Sequence, residues 1–301
     1  MTDEQSIVIV LGTTQDAGLP QLGCNCTNCS RAISNQHFRR LVSSLGIFNP
    51  TTGKSYIIDA TPNLTEQVGL LNKIKSKFLN KNYYSIKNIA GTNEFELSGI
   101  FLTHAHIGHY LGLVHLGKEA FCANKIPIYA TSSMIKFLNA NSPFNDLIIN
   151  KNIIPNEIKI DKKCVINQSL SLTPFSVQHR HEHSDTVGFS ISGSKKELLY
   201  IPDMDVLSQD ILDRISEADI AIIDGTFYDK SELGTRKDFQ EVSHPTIKDS
   251  IQVLGTLTKE TRIYYTHFNH TNPVLDSKSE AVNEIKASGL KLVHEGQAFK
   301  I

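Results

Sequence analysis

Long apolar runs are missing from this chain of 301 residues. No stretch approaches the roughly 20 residues that cross a bilayer, so no membrane partner is expected. The acidic opening Met1-Thr2-Asp3-Glu4-Gln5 and the short apolar run Ile7 to Leu11 do not make a signal-peptide core. The chain therefore reads as cytoplasmic, a previously removed signal peptide aside. A surplus of one charge is missing too: 30 Lys and Arg face 31 Asp and Glu, a formal net charge of −1. Nucleic acid is not expected as a partner on that balance, because its backbone selects basic surfaces. Solenoid-period repeats and low-complexity segments are also absent. Cysteine is scarce and odd in number, at five, which argues against a closed disulfide framework. Cys24, Cys26 and Cys29 lie too close together to be good disulfide partners, and metal ligation is the better reading. Cys122 and Cys164 stand alone and are expected to be small buried side chains.

What is present is an ordinary globular balance, 40% hydrophobic and 20% charged. Length permits one large domain or two small ones. Short Ile- and Val-rich runs predict strands over Ser6–Leu11, Ser55–Asp59, Gly99–Thr103, Ile126–Tyr129, Leu170–Gln178, Thr186–Ser192, Glu197–Ile201, Asp219–Ile223, Thr261–Tyr265 and Lys291–His294. Helical periodicity is expected over Leu64–Phe78, Gly108–Ala123, Ser132–Asn139, Ser208–Glu217, Thr246–Leu257 and Ser277–Ser288. The polar, Asn-rich stretch 80–96 reads as a surface excursion. Strands and helices alternate over the whole length, so one α/β domain over residues 1–301 fits best.

Metal-competent side chains recur where the strands end. Asp59 follows Tyr56-Ile57-Ile58, His104 follows Ile100-Phe101-Leu102-Thr103, and His179 follows Phe175-Ser176-Val177-Gln178. Asp203 follows Tyr200-Ile201-Pro202, and His267 follows Tyr264-Tyr265-Thr266. Sites in layered α/β proteins assemble at such strand ends. In Thr103-His104-Ala105-His106-Ile107-Gly108-His109, His104 and His106 share one side of an extended segment. His109 lies at the start of the following helix and can serve a neighbouring position. Imidazole with carboxylate suits zinc, and also iron or manganese.

This pattern resembles the metallo-β-lactamase superfamily, whose signature is His-x-His-x-Asp-His. The resemblance covers almost the whole chain and implies an αββα four-layer sandwich with water activated by one or two metal ions. It implies His104, His106 and His179 as ligands of a first metal, and His109 and His267 as ligands of a second. Asp203 would bridge the two, with Asp59 as the scaffold aspartate behind the histidines. His183 is the alternative to His179, and His181 reads as a loop residue. The chain departs from the signature at Gly108, where the family has a ligating Asp. A mononuclear site is the first expectation, with fewer than two tightly held catalytic metals. The alternatives are a weak second site, or one completed by a residue such as Glu182 or Asp205.

The cysteine loop 23–29 offers three thiolates, and tetrahedral zinc wants a fourth ligand. His270, three residues after His267, is the expected one, giving a structural zinc on Cys24, Cys26, Cys29 and His270. Together with Gly12-Thr13-Thr14-Gln15-Asp16-Ala17-Gly18-Leu19-Pro20, this loop resembles two branches of the superfamily. One is the B protein of pyrroloquinoline quinone biosynthesis, and the other is the cyclic-phosphate phosphodiesterase of phosphonate breakdown. Asp59-Ala60-Thr61-Pro62-Asn63-Leu64, Asp224-Gly225-Thr226-Phe227-Tyr228, Ser243-His244-Pro245 and Asn272-Pro273-Val274-Leu275 are similar to the quinone branch. That branch typically lacks the first histidine of the cluster and keeps the Asp, the reverse of this chain. His244 also resembles the histidine that donates a proton to the leaving oxygen in phosphodiesterase members, a role that suits an imidazole. His37, His115 and His294 read as structural.

Three functions follow as expectations. The leading one is metal-dependent hydrolysis of a phosphodiester or other small ester, with His244 and Asp203 as catalytic residues and a small-molecule substrate. The second is quinone-cofactor biosynthesis using the metal for oxygen chemistry. The third is a non-catalytic metal-binding module, motivated by Gly108. A homodimer is left open.

Overall fold

The computed structural model describes residues 5–79, 97–233 and 244–301. The expected surface excursion over 80–96 and Ser243 lie outside them. Among the described residues, the first sheet takes β1 (Ile7–Gly12), β2 (Ser44–Phe48), β3 (Ser55–Ile58), β4 (Leu97–Phe101), β5 (Ile126–Ala130) and β6 (Ile153–Glu157). The second takes β7 (Cys164–Asn167), β8 (Leu170–Ser176), β9 (Val187–Ser192), β10 (Glu197–Ile201), β11 (Ile220–Asp224), β12 (Arg262–Thr266) and β13 (Lys291–Leu292). The chain then returns, and β14 (Ala298–Lys300) joins the first sheet beside β1. The orders are β14-β1-β2-β3-β4-β5-β6 and β13-β12-β11-β10-β9-β8-β7.

Period-two alternation explains why the sheets sit face to face. Val8, Val10, Leu45, Ile47, Tyr56 and Phe101 of the first sheet share one buried layer with Leu172, Phe189, Ile191, Leu198, Tyr200 and Ile222 of the second. Their sequence neighbours point the other way. Ile9, Leu11, Ile57 and Ile100 pack under α2 (Leu64–Phe78), α4 (Ser132–Ala140) and α5 (Phe144–Ile149). Leu199, Ile201, Ala221, Ile223 and Ile263 pack under α6 (Gln209–Glu217), α7 (Ile247–Leu257) and α8 (Glu280–Ala287). The result is an αββα sandwich, and each large apolar side chain buried in it contributes about 1.5–3 kcal/mol.

The helix starts are fixed by side-chain caps. Ser208 accepts from Ile211 N, Thr246 from Asp249 N and Ser279 from Val282 N, each cap being worth about 1 kcal/mol. Three expectations are corrected. Gly108–Ala123 is not one helix: a short turn, α3 (Ile107–Tyr110), passes into a 3-10 segment, Leu111–Leu116. Gly112 N–H donates to Ala60 O at 2.8 Å. A side chain at 112 would sit 2.9 Å from that oxygen and closer still to the Thr61 carbonyl. Docking onto the Ala60–Thr61 backbone thus overrides helical propensity. An eight-residue helix not expected from periodicity, α1 (Thr27–Ser34), follows the cysteine loop. Cys122 is exposed and Cys164 half-buried, not enclosed as expected.

Strand direction determines where the chemistry collects. β3 and β4 are parallel, as are β10, β11 and β12. β8 and β10 both run antiparallel to β9, so β8 shares their direction. The carboxyl ends of these strands meet at one edge of the sandwich, where the sheets are stitched together. Val187 N–H donates to Thr103 O at 3.1 Å, Phe268 N–H to Thr13 O at 2.8 Å and Gln15 N–H to Phe268 O at 3.1 Å. Among the described residues, no helix is long and apolar enough to cross a membrane.

Candidate functional site

The scaffold aspartate sits immediately after β3 with φ of 69°, a left-handed backbone that turns its carboxylate across the end of β4. Asp59 Oδ1 accepts from Thr103 N–H at 2.9 Å, and Oδ2 lies 2.7 Å from His109 Nδ1. Asp59 is fully buried. Its ring partner is therefore His109, while His104 Nδ1 is held by Thr103 Oγ1 at 3.0 Å.

Two clusters of ligand atoms lie side by side. In the first, His106 Nδ1 is 2.8 Å from His104 Nε2 and 3.2 Å from His179 Nε2. The outer nitrogens are engaged elsewhere: His179 Nδ1 by Asp205 at 2.8 Å and His106 Nε2 by Glu182 at 3.3 Å. Glu182 and Asp205, the alternatives for completing the second position, are paired with the first-cluster histidines His106 and His179. His179 joins the cluster. His183 is exposed, against the Phe137 ring, and His181 is also exposed.

In the second cluster, Asp203 Oδ2 is 3.0 Å from His109 Nε2 and 3.2 Å from His267 Nε2. The other oxygen, Oδ1, is 3.7 Å from His179 Nε2, so this one carboxylate spans both positions. His267 has φ of 64° and its Nδ1 is 2.9 Å from Thr226 Oγ1. Thr226 Oγ1 and N–H both donate to Asp224 Oδ1. Asp224–Thr226–His267 thus serves β11 and β12 as Asp59–Thr103 serves the histidine cluster. Sequence reading did not give Asp224 a role, although its Asp-x-Thr motif follows an apolar strand as Asp59 does.

Asp16 is the other residue that sequence reasoning passed over. Its Oδ1 accepts from Gly108 N–H at 3.0 Å and lies 3.7 Å from His109 Nε2. Asp16, His109 and His267 form a group whose ligand atoms all lie within 4.8 Å of one another. The carboxylate expected to be missing at position 108 is replaced in space by one from the loop after β1.

The protonation states of His104, His106, His267 and Asp203 suit a metal. At His109, by contrast, burial is overridden by the Asp59 and Asp203 carboxylates, which hold the ring well above its usual range. Burial pushes His104 well below its usual range, and burial likewise lowers His106 and His267, leaving imidazole lone pairs free. Burial alone would raise Asp203. His267 and His109 beside it override that and hold its carboxyl well below the usual range. Among the described residues, His109 Nε2, His267 Nε2 and Asp203 Oδ2 are buried with no well-aligned hydrogen-bond partner beyond one another. Buried polar atoms are rarely left so, and a divalent cation would satisfy all three.

His244 occupies the rim. Its Nδ1 is 2.6 Å from Asp224 Oδ2, and its ring lies 5.3 Å from that of His179. Burial lowers its pKa, but the Asp224 carboxylate overrides burial and holds it at about 9.

The cysteine loop closes on the last third of the chain. Cys24, Cys26 and Cys29 Sγ lie 3.4, 3.5 and 3.6 Å from His270 Nδ1. Zinc–sulfur and zinc–nitrogen bonds of about 2.3 and 2.0–2.1 Å at a tetrahedral angle imply edges of about 3.6 Å, so this set fits zinc. Burial raises the Cys29 thiol to about 12, a value that metal ligation would reverse.

Comparison with known proteins agrees with the geometry. Residues 56–268 match the family described as beta-lactamase superfamily domain. The chain is 24% identical over 310 residues to coenzyme PQQ synthesis protein B of Methylobacterium sp. (strain 4-46), covering 96% of this chain and 97% of that protein. Among solved structures, Zn(2+)-bound PqqB from Methylobacterium extorquens superposes with a TM-score of 0.79 at 22% identity, over 98% of this chain and 100% of the other. A diphosphatase from the PhnP family gives 0.68 at 22% identity, over 99% and 97%. The chain belongs to the beta-lactamase superfamily, in its metallo-β-lactamase fold, on a branch resembling these two proteins.

Proposed function

We propose that the protein is a metal-dependent hydrolase of a small phosphodiester or a related small ester. The observation that carries this reading is the Asp224–His244 pair, 2.6 Å apart at the rim of the ligand clusters. His104, His106 and His179 would hold one metal, and Asp203 reaches from it toward the second position. Bound there, a metal supplies Lewis acidity toward an ester oxygen and lowers the pKa of water. His244 holds a proton on the ring at neutral pH and can deliver it to the departing alkoxide. Asp224 keeps that ring charged and oriented. Zinc is the expected metal, with iron or manganese as alternatives; a small molecule is the expected substrate, and the protein would act in the cytoplasm.

The test is turnover on a panel of linear and cyclic phosphodiesters and lactones, with elemental analysis of the same preparation. Phosphodiester turnover in wild type, reduced on the order of a hundredfold or more in His244→Ala at unchanged metal content, supports the reading. A fully metallated protein inert toward every phosphodiester overturns it. A second reading, a role in quinone-cofactor synthesis with oxygen chemistry, is favoured by the likeness to PQQ synthesis protein B over 96% of this chain. Iron in the purified protein and oxygen uptake with a peptide substrate would favour it over hydrolysis.

A further inference from the structure

We infer that Asp16 is a metal ligand, and that it rebuilds the second metal position from a different part of the chain than the superfamily signature uses. The inference deepens the metal-hydrolase reading but does not depend on the substrate.

Space makes the first argument. A Cβ built on Gly108 would lie 2.7 Å from Asp16 Cα, 3.1 Å from its Cγ and closer still to Oδ1. The volume a side chain at 108 would take is occupied by the Asp16 carboxyl. Gly108 is required by that approach, and the absent signature aspartate and the present Asp16 are two aspects of one arrangement.

Chemistry makes the second. Among the described residues, His109 Nε2, His267 Nε2 and Asp203 Oδ2 are buried and have no hydrogen-bond partner beyond one another, at 3.0 and 3.2 Å across the carboxylate oxygen. Asp16 Oδ1 joins this group, 3.7 Å from His109 Nε2. Asp16 groups with His109 and His267, and Asp203 meets the same two imidazoles; two imidazoles and two carboxylates neutralise a divalent cation and suit zinc, iron or manganese.

Positioning makes the third. The Asp16 loop is held to the backbone next to His267: Gln15 N–H donates to Phe268 O at 3.1 Å and Phe268 N–H to Thr13 O at 2.8 Å. Gln15 Nε2 donates to Asn269 Oδ1 at 3.2 Å. The same backbone contacts therefore place both Asp16 and His267.

The competing account is that Asp16 merely accepts the Gly108 N–H. Asp16→Asn separates the two, because the amide oxygen keeps that hydrogen bond but is a poor ligand. Metal content is measured after dialysis, with zinc titration of the metal-free protein and circular dichroism of each variant. If Asp16 ligates, wild type retains about three metal ions per chain, one at the cysteine loop, and Asp16→Asn retains about two. Second-position affinity in the variant falls about tenfold or more, with first-position affinity and fold unchanged. Asp16→Ala behaves likewise in metal content even if its melting temperature drops. Wild-type affinity at the second position in Asp16→Asn overturns the inference, as does a wild type that binds one metal besides that of the cysteine loop. In that last case the metal-hydrolase reading still stands on the first position.

Discussion

Asp59 and His109 are joined at 2.7 Å in a fully buried contact, and that contact fixes which imidazole nitrogen faces the metal pocket. With Nδ1 committed to Asp59, only Nε2 of His109 is turned toward Asp203. A carboxylate behind a ligating histidine sets its tautomer and basicity.

Asp59→Asn should therefore weaken the second metal position more than the first, because His104 Nδ1 pairs with Thr103 Oγ1 and not directly with Asp59. The expected loss is about 10–100-fold in affinity for the weaker-held ion. Stepwise zinc titration of metal-free protein resolves the two positions; equal loss at both would contradict the assignment.

His244 should titrate abnormally high in metal-free protein. Its ordinary value is near 6.5, and Asp224 lifts it to about 9 against the effect of burial. The ring then stays protonated through neutral pH and loses its proton as pH rises through about 9. Asp224→Asn removes the charge that opposes burial, so the titration must move downward. NMR of the imidazole protons checks both values. A wild-type midpoint near 6.5 would contradict the geometry.

Stripping the cysteine loop should cost stability beyond the loop itself. At free zinc about 100–1,000 times Kd, a bound ion stabilises the fold by about 2.7–4.1 kcal/mol. His270→Ala, which removes the shared nitrogen, is expected to lower the metal content by about one ion per chain and to lower the melting temperature. Turnover, normalised to folded protein, should persist if the loop is structural.

Gly112→Ala should be disproportionately harmful for a one-methyl change. The new Cβ meets the Ala60 and Thr61 carbonyls, and overpacking of this kind costs about 1–3 kcal/mol. The 3-10 segment Leu111–Leu116 follows directly on the turn that carries His109, so second-position metal affinity should fall together with the denaturation midpoint. Urea unfolding with parallel metal analysis measures the two together.

Much of the site was legible because Asp59, His104, His179, Asp203 and His267 each follow an apolar strand, and a strand end is a local pattern. Asp16 was not legible. It sits in a Gly- and Ala-containing loop, and its partner Gly108 is 92 residues away. No periodicity reports a carboxylate that fits because another residue has no side chain. Asp224 was visible as a motif, but its grip on both His244 and His267 depends on how β11 and β12 lie together. Among strands, β2 was hidden by Gly46 in its middle, where a side chain would strike Leu71 and Leu11. β6 was hidden by Pro155 and Asn156, tolerated because β6 is an edge strand. The helix over Gly108–Ala123 failed because Gly108 and Gly112 mark where distant parts of the chain, at Asp16 and at Ala60–Thr61, come close, which a pattern of apolar residues does not reveal.

The cysteine set has a consequence for chain topology. Cys24 and His270 are 246 residues apart, and β14 pairs with β1. Bound zinc would turn the intervening chain into a closed ring, clasped where its two ends meet. A protease cut in a connection far from the clasp would then leave a nicked but undissociated molecule, and chelation would be needed to release the fragments.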